Sequence, residues 1–320
     1  KKKSGIMRMK SIFRHETILF LVVIVALVIL SIQAEQFATI DNLLNQGRFL
    51  TEVSLVALIM TFVIVTGGID LSVGSILGLS AIVLGVAWKK LGLPLPLAIL
   101  VALSVGTLAG LFNGIIITRF KVPPLIATLA TLALYRGLAE GISQARSIRG
   151  YPEWFFILGQ GEFFGIPTQL WIVAFFTLLT GFILTYTTWG RATYAIGANE
   201  TAARFSGIAV DKTKLFIYAA SGFAASLAAI IFVSRVSTTR SDMGMGLELD
   251  AITAVVLGGT SIFGGKGTIV GTFFGLILIQ ILKNGLSLAG VKSDGTYIAI
   301  GLVLILTLLI SNLFNRNSEG

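Results

Sequence analysis

Long apolar runs, separated by short polar or glycine-rich segments, follow one another along almost the whole chain. A helix that crosses the hydrocarbon core of a bilayer needs roughly 17–25 mostly apolar residues. The pattern predicts about ten such spans, at residues 17–34, 50–66, 73–88, 95–118, 123–141, 169–187, 213–234, 249–263, 268–285 and 296–313. It therefore predicts an all-α, polytopic integral membrane protein with a single transmembrane domain over residues 1–320.

Composition supports a lipid environment and removes several kinds of chemistry. The 320 residues are 55% hydrophobic and 12% charged, whereas soluble domains carry about 25% charge. Cysteine is absent and His15 is the one histidine, so disulfides, thiolate metal sites and cysteine nucleophiles are excluded. We expect no catalytic residue, metal or cofactor. The net charge of +9 does not indicate nucleic acid, because the basic residues lie between apolar runs, as in membrane proteins.

The N-terminal segment predicts how the chain sits in the membrane. Six basic residues precede the first apolar run, and the residues before Glu35 read Ile32-Gln33-Ala34, a poor signal-peptidase site. We expect an uncleaved first helix with a cytoplasmic N-terminus, because positive charge favours the cytoplasmic side. An even number of spans then returns the C-terminus to the cytoplasm. Residues 142–168 would form an external loop, and residues 188–211 the longest cytoplasmic loop.

Stripes of small residues suggest an internal repeat. A GxxxGxxxG pattern occurs twice, at Gly106, Gly110 and Gly114 in the fourth span and at Gly267, Gly271 and Gly275 in the ninth. Glycine at every fourth position lets helix backbones approach closely. Because these spans run in opposite directions, spans 2–5 and 7–10 could form an inverted repeat. The alternative is that 36 glycines produce such spacings by chance.

The stretch TGGIDLSVGS (66–75) interrupts two apolar runs without forming a hydrophilic loop. Gly67 and Gly68 weaken a helix, and Asp70 and Ser72 can cap the next one by accepting its free N–H groups. A carboxylate within the membrane must face protein or water. The stretch is either a broken helix that lines the transport path or a tight turn with an N-cap. The candidate pathway residues are Asp70, Ser72, Asn113, Thr128 and Thr131, although the last three could simply form interhelical hydrogen bonds.

The stretch GRATYAIGANETAARFSGI (190–208) predicts a short cytoplasmic helix. Asn199 can cap a helix that begins near Glu200, and the small residues nearby leave a smooth face with Phe205 and Ile208 as apolar knobs. Such a helix suits docking into a groove of a partner; the alternative is a helix that lies on the lipid surface. The candidate docking residues are Arg191, Gly197, Asn199, Glu200, Ala203, Arg204 and Gly207.

A third glycine-rich stretch, ELDAITAVVLGGTSIFGGKG (248–267), does not fit a nucleotide site. A phosphate-binding loop requires GxxxxGK[ST] after a strand. Here Thr260 occupies the first glycine position, and Gly267 follows Lys266. Any ATP must therefore be bound by another chain.

Taken together, four stretches resemble the permease subunits of bacterial ABC importers for monosaccharides, of the ribose, rhamnose and autoinducer-2 type. They are TGGIDLSVGS (66–75), FNGIIITRFKVPPLIATLATLALYRGL (112–138), GRATYAIGANETAARFSGI (190–208) and ELDAITAVVLGGTSIFGGKGTIVGT (248–272). The resemblance implies a core of two permeases (two copies, or a homologous second permease), cytoplasmic ATP-binding cassette subunits and an external, periplasmic sugar-binding protein. It also implies that 194–208 carries the coupling helix. The EAA signature of such loops is only loosely met, because Thr201 separates Glu200 from Ala202.

The predicted function is that of the membrane-embedded subunit of an ATP-driven importer. It would move a monosaccharide or a similar small polar solute across the bacterial inner membrane by alternating access. The alternative is an ion-coupled secondary sugar transporter, which should carry clustered carboxylates within its spans, whereas Asp70 stands nearly alone.

Overall fold

The chain folds into a bundle of helices with a few very short strands. The computed structural model describes residues 2–144, 146–292, 295, 296, 298–303 and 305, with side chains from residue 16 onwards within these ranges. The helices are α1 (Lys2–Gln33), α2 (Ile40–Val65), α3 (Val73–Lys89), α4 (Leu95–Arg119), α5 (Pro124–Ser143), α6 (Ile157–Gln160), α7 (Thr168–Tyr186), α8 (Thr188–Ala198), α9 (Glu200–Phe205), α10 (Val210–Val236), α11 (Leu247–Leu257) and α12 (Ile269–Leu288).

Seven of the described helices are long and apolar enough to cross a membrane, namely α1, α2, α4, α5, α7, α10 and α12. This confirms a mostly helical, multi-pass protein. The apolar helix α3 has 17 residues and is about 25 Å long at a rise of 1.5 Å per residue. The predicted span 296–313 lies largely outside the described residues.

The predicted span 249–263 is wrong in its second half. Helix α11 has 11 residues and ends at Leu257, so it covers only about half of the hydrocarbon core. Gly259, Gly264 and Gly265 adopt positive φ angles of 87°, 87° and 74°, which end the helix and allow an irregular segment. The apolar composition of this stretch concealed its break.

The predicted external loop 142–168 is folded rather than extended. It contains β1 (Ile148–Arg149), a 3₁₀ turn (Glu153–Phe156), α6, β2 (Glu162–Phe163) and β3 (Ile166–Pro167). Strand β1 pairs antiparallel with β4 (Thr238–Thr239), and β2 pairs with β3. These two-residue strands are the exception to the all-α prediction, and β1 ties the loop to the segment that follows α10.

Helices α2 and α10 lie side by side at the centre of the bundle. Helix α10 also packs against α3 and α4, and α2 packs in the same way against α11 and α12. Helices α3 and α4 contact each other, as do α11 and α12. This correspondence is the pattern that an inverted repeat would produce.

The glycine stripes pack closely, but against partners that do not correspond. A Cβ atom at Gly110 would overlap the carbonyl oxygen of Tyr218 and approach the backbone of Gly222, both in α10. In α12, a Cβ atom at Gly271 or Gly275 would overlap backbone carbonyls of the α11 region. The stripes therefore bring α4 onto α10 and α12 onto α11.

Two glycine substitutions test the close packing of α4 on α10. Gly110→Ala should destabilise the protein by about 1–3 kcal/mol, because the added methyl group meets rigid backbone. Gly137→Ala in α5 is the matched control, because a Cβ atom there meets nothing within 4 Å; it should be neutral or stabilising by up to about 1 kcal/mol. Thermal unfolding of the detergent-solubilised variants gives the comparison, and equal effects at the two positions would contradict the packing argument.

Candidate functional site

The first candidate site is the turn between α2 and α3. Helix α2 ends at Val65, Gly67 adopts a φ angle of 78°, and α3 begins at Val73. The turn lies within the bundle: its Asp70 is fully buried and contacts Ser221, near the middle of α10. The helix is therefore broken inside the protein rather than at its surface.

Three hydrogen bonds satisfy the buried carboxylate of Asp70. Its Oδ1 accepts from the backbone N–H of Ser72 at 3.0 Å and from the Ser72 hydroxyl at 2.6 Å. Its Oδ2 accepts from the Ser221 hydroxyl at 2.8 Å. Burying a charge costs free energy unless the charge is paired or hydrogen-bonded. These three donors therefore offset the cost of burying the Asp70 carboxylate.

The predicted capping roles of Asp70 and Ser72 differ in outcome. Asp70 accepts the N–H of Ser72, the residue just before α3. Ser72 forms no side-chain cap, because its hydroxyl donates to Asp70 instead. The prediction that the Ser72 side chain caps α3 is therefore wrong.

The remaining pathway candidates join this network to different degrees. Asn113 Nδ2 donates to the Ser72 hydroxyl at 2.7 Å, and Tyr135 donates to Asn113 Oδ1 at 3.3 Å. Thr128 donates to the carbonyl of Ile69 at 3.1 Å, whereas Thr131 bonds to carbonyls of its own helix. All the candidates are buried, so the network ties α3, α4, α5 and α10 together. Their role in the pathway stays a prediction.

The second candidate site is the polar segment between α7 and α10. The predicted cap is confirmed: Asn199 Oδ1 accepts from the N–H of Ala202 at 2.9 Å, and α9 begins at Glu200. Gly207 ends the segment with a φ angle of 82°. Ala203 is buried against Ile196 and Val210, so one face of α9 is anchored. The opposite face carries Phe205, 89% exposed.

An ionic network fixes α9 to its own chain. Arg204 bonds to both carboxylate oxygens of Asp211, each at 2.9 Å, and to Glu200 at 3.2 Å. Lys214 donates to Glu200 at 2.6 Å, and Lys121 to Asp211 at 3.0 Å. Burial alone would raise the pKa of Glu200, but the hydrogen bonds and charges of Lys214 and Arg204 outweigh it and lower that pKa. Glu200 and Arg204 thus hold the helix in place, and Arg191 lies exposed on α8.

A backbone junction connects this segment to both helix breaks. The N–H of Gly265, beyond α11, donates to the carbonyl of Val65 at the end of α2, at 2.9 Å. A Cβ atom at Gly197 would overlap that same carbonyl oxygen. A Cβ atom at Gly264 would lie 3.0 Å from Gly197 O and from Gly67 N. We call Gly67, Gly197, Gly264 and Gly265 the glycine junction; there the segment that carries α9 touches the breaks before α3 and after α11.

Two charged groups inside the bundle have partners that lie far away in the sequence. Arg136 and Glu140 are four residues apart in α5, a spacing typical of ion pairs on a helix, but the Arg136 guanidinium donates to the carbonyls of Ser241, Met243 and Gly74. Glu52, within the predicted second span, is buried and bonds to Arg235 at 2.8 Å. The signal for Glu52 was present, because a carboxylate inside an apolar run demands a partner.

Substitutions at Asp70 test the structural role of its network. Asp70→Ala leaves the hydroxyls of Ser72 and Ser221 without their acceptor and should cost about 1–3 kcal/mol for each group left unsatisfied. Ser221→Ala removes one donor and should cost about 1 kcal/mol. Thermal unfolding in detergent measures both, with the exposed Asp41→Ala as control. A lost transport activity with unchanged thermal stability would instead show that Asp70 acts on the substrate path.

Comparison with known proteins shows to which family the chain belongs. A model of the family described as "Branched-chain amino acid transport system / permease component" matches residues 40–308. The ribose import permease protein of Haemophilus influenzae is 40% identical over 297 residues, 92% of each chain. That of Bacillus subtilis is 42% identical over 294 residues, 91% of each chain.

A third relative has a different substrate in its name. The autoinducer 2 import system permease protein of Escherichia coli is 40% identical over 263 residues, which is 80% of this chain and 79% of the relative. No solved structure shows significant similarity. The family match over residues 40–308 runs through both candidate sites and through six of the seven long apolar helices, α2, α4, α5, α7, α10 and α12. The chain therefore belongs to this family of transport permease components, as its resemblance to bacterial ABC importer permeases predicted.

Proposed function

We propose that this chain is the membrane-spanning permease subunit of an ATP-driven importer that brings a monosaccharide or a similar small sugar-like solute into the cytoplasm. The observation that carries the proposal is the similarity to ribose import permeases over more than nine-tenths of the chain. The description of the family model mentions amino acid transport, but the relatives that cover more than nine-tenths of the chain are named for ribose import, and a further relative is named for autoinducer 2. The chain is a transporter subunit rather than an enzyme, and ATP is hydrolysed by a separate chain in these systems.

The protein is a multi-pass inner-membrane protein with about ten crossings in a single domain, 1–320. Seven are the long helices; the other three are α3, α11 together with the irregular segment after it, and residues 296–313. Both termini lie in the cytoplasm, which puts α8 and α9 on the cytoplasmic side. The packing of α2, α3 and α4 relative to α10, α11 and α12 supports an inverted repeat of spans 2–5 and 7–10.

The segment 188–211 carries the coupling helix. Helix α9 is short, capped by Asn199 and anchored through Ala203, and Phe205 projects outward. An exposed aromatic side chain on a rigid support is a typical anchor for a partner's groove. The ATPase would move α9, and the glycine junction would pass that movement to the breaks beside α3 and α11. The full assembly also contains a second permease and an external sugar-binding protein.

Transport by the reconstituted complex tests the function. The complex that co-purifies with this chain from native membranes is placed in liposomes and assayed for uptake of radiolabelled D-ribose. Uptake should require the external binding protein and ATP and should continue when ionophores collapse the ion gradients. Uptake driven by an ion gradient without ATP would favour the secondary transporter instead.

A substitution at Phe205 tests the coupling role of α9. Phe205→Ala should weaken binding of the ATPase subunit by about 2 kcal/mol, roughly 30-fold in Kd, because aromatic anchors dominate such interfaces. Phe216→Ala is the matched control, because this side chain is also exposed, at 65%, but belongs to α10 rather than to α9. Affinity is measured between the detergent-solubilised permease and the purified ATPase. Equal affinity for wild type and Phe205→Ala would rule out docking through this residue.

A further inference from the structure

A cavity of about 430 Å³ lies between α2, α10, α11 and the segment after α10. Its volume falls in the range of small-molecule sites, about 300–1,000 Å³. It lies beside the middle of α2 and the last turn of α10. About three turns of α2 therefore separate it from the glycine junction at the end of that helix. It is lined chiefly by Phe49, Glu52, Phe232, Arg235, Met245 and Asp250.

Arg235 is held rigidly at the wall of this cavity. Its Nε donates to Glu52 Oε1 at 2.8 Å. Its guanidinium carbon lies 4.8 Å from the ring centre of Phe49 and 4.9 Å from that of Phe232. A guanidinium this close to two aromatic rings gains cation–π attraction from each of them. Among the described residues only Nε is used in a hydrogen bond, so the two Nη groups remain available to a ligand.

The charges around the cavity are balanced in pairs. Besides Glu52 and Arg235, Arg240 pairs with Asp242, and Asp250 pairs at 2.6 Å with Lys283 from α12. Paired charges place strong hydrogen-bond donors beside strong acceptors without a net charge. A hydroxyl group both donates and accepts, so this lining matches a solute with many hydroxyls and no charge. An anion or an amino acid would need an unpaired opposite charge.

We infer that this cavity is the site at which the permease receives a neutral polyhydroxylated solute from outside. The Nη groups of Arg235 donate to hydroxyl oxygens, the carboxylates of Glu52 and Asp250 accept from hydroxyl hydrogens, and the half-exposed ring of Phe49 covers the C–H face of the solute. This inference rests on the proposed function and adds to it a location and a set of recognising residues.

The natural absence of cysteine permits a direct test by thiol labelling. Met245→Cys and Val236→Cys place a single exposed thiol at the cavity, and Phe164→Cys, at a position that is 85% exposed and outside the lining, is the control. The complete complex is labelled in proteoliposomes with a membrane-impermeant maleimide, with and without D-ribose or leucine. Ribose at about ten times its Kd should slow labelling at the cavity roughly tenfold and leave the control unchanged.

Substitutions of two residues in the cavity wall test whether their side chains bind the solute. In the Met245→Cys background, Arg235→Lys keeps the charge but loses the planar donors and should abolish protection by ribose. Arg48→Lys is the matched control. Arg48 lies in α2, one turn before Glu52, and pairs with Glu162, so this variant should leave the protection by ribose intact. Asp250→Asn is the second wall variant, for use if Arg235→Lys does not assemble, and should also abolish protection.

The outcomes separate this inference from the proposed function. Protection by leucine in place of ribose, or absence of protection in a complex that takes up ribose, overturns the cavity site while the function stands. Unchanged protection in the Arg235 and Asp250 variants also overturns it. A complex that transports no sugar overturns the proposed function, whatever the labelling pattern.

Discussion

A polar group inside an apolar bundle must find a partner within the protein, and this constraint shapes the whole molecule. Backbone N–H and C=O groups in a membrane are normally satisfied within helices. Among the described residues, two such helix breaks lie before α3 and after α11. At the first break, Asp70 accepts the buried N–H of Ser72 and is further satisfied by the hydroxyls of Ser72 and Ser221. At the second, Gly265 donates to Val65. At both breaks, partners inside the protein therefore replace hydrogen bonds that a continuous helix would have supplied.

The two breaks are parts of one arrangement rather than separate defects. Both meet the segment that carries α9 at the glycine junction. The ionic network of Arg204 and Asp211 fixes α9 against the start of α10. Exposed ion pairs contribute little stability individually, but this network sets the direction in which α9 presents Phe205. A partner that moves α9 thus acts on α10 directly and on both breaks through backbone contact.

Much of the fold followed from the apolar pattern, and the failures share a physical origin. The long helices and the capped start of α9 were predictable because periodicity and capping act locally. The end of α11 was not, because Leu257 is followed by residues that are apolar on average yet include glycines with positive φ. Hydropathy measures affinity for lipid, whereas helix length also depends on backbone conformation.

In the candidate sites, too, some features could be predicted from the sequence and others could not. Asp70, Ser72 and Asn113 were chosen as polar residues among apolar ones, and they do meet in space. The bond between Glu52 and Arg235 joins residues 183 positions apart, and no local pattern predicts which distant charge completes such a pair. The partners of Arg136 are unpredictable for the same reason. Its neighbour on the helix was visible in the sequence, while the carbonyls it binds belong to a segment that arrives through the fold.

The glycine junction has a mechanical consequence. Side-chain contacts can absorb a small displacement by rotating, but contacts between backbones cannot. Gly197 lies directly on the Val65 carbonyl, and Gly265 is bonded to that same oxygen. A shift of the segment that carries α9 by a fraction of an ångström must therefore reach both interrupted helices at once. A state in which one of them has moved and the other has not would be strained, so the two halves of the bundle should switch together.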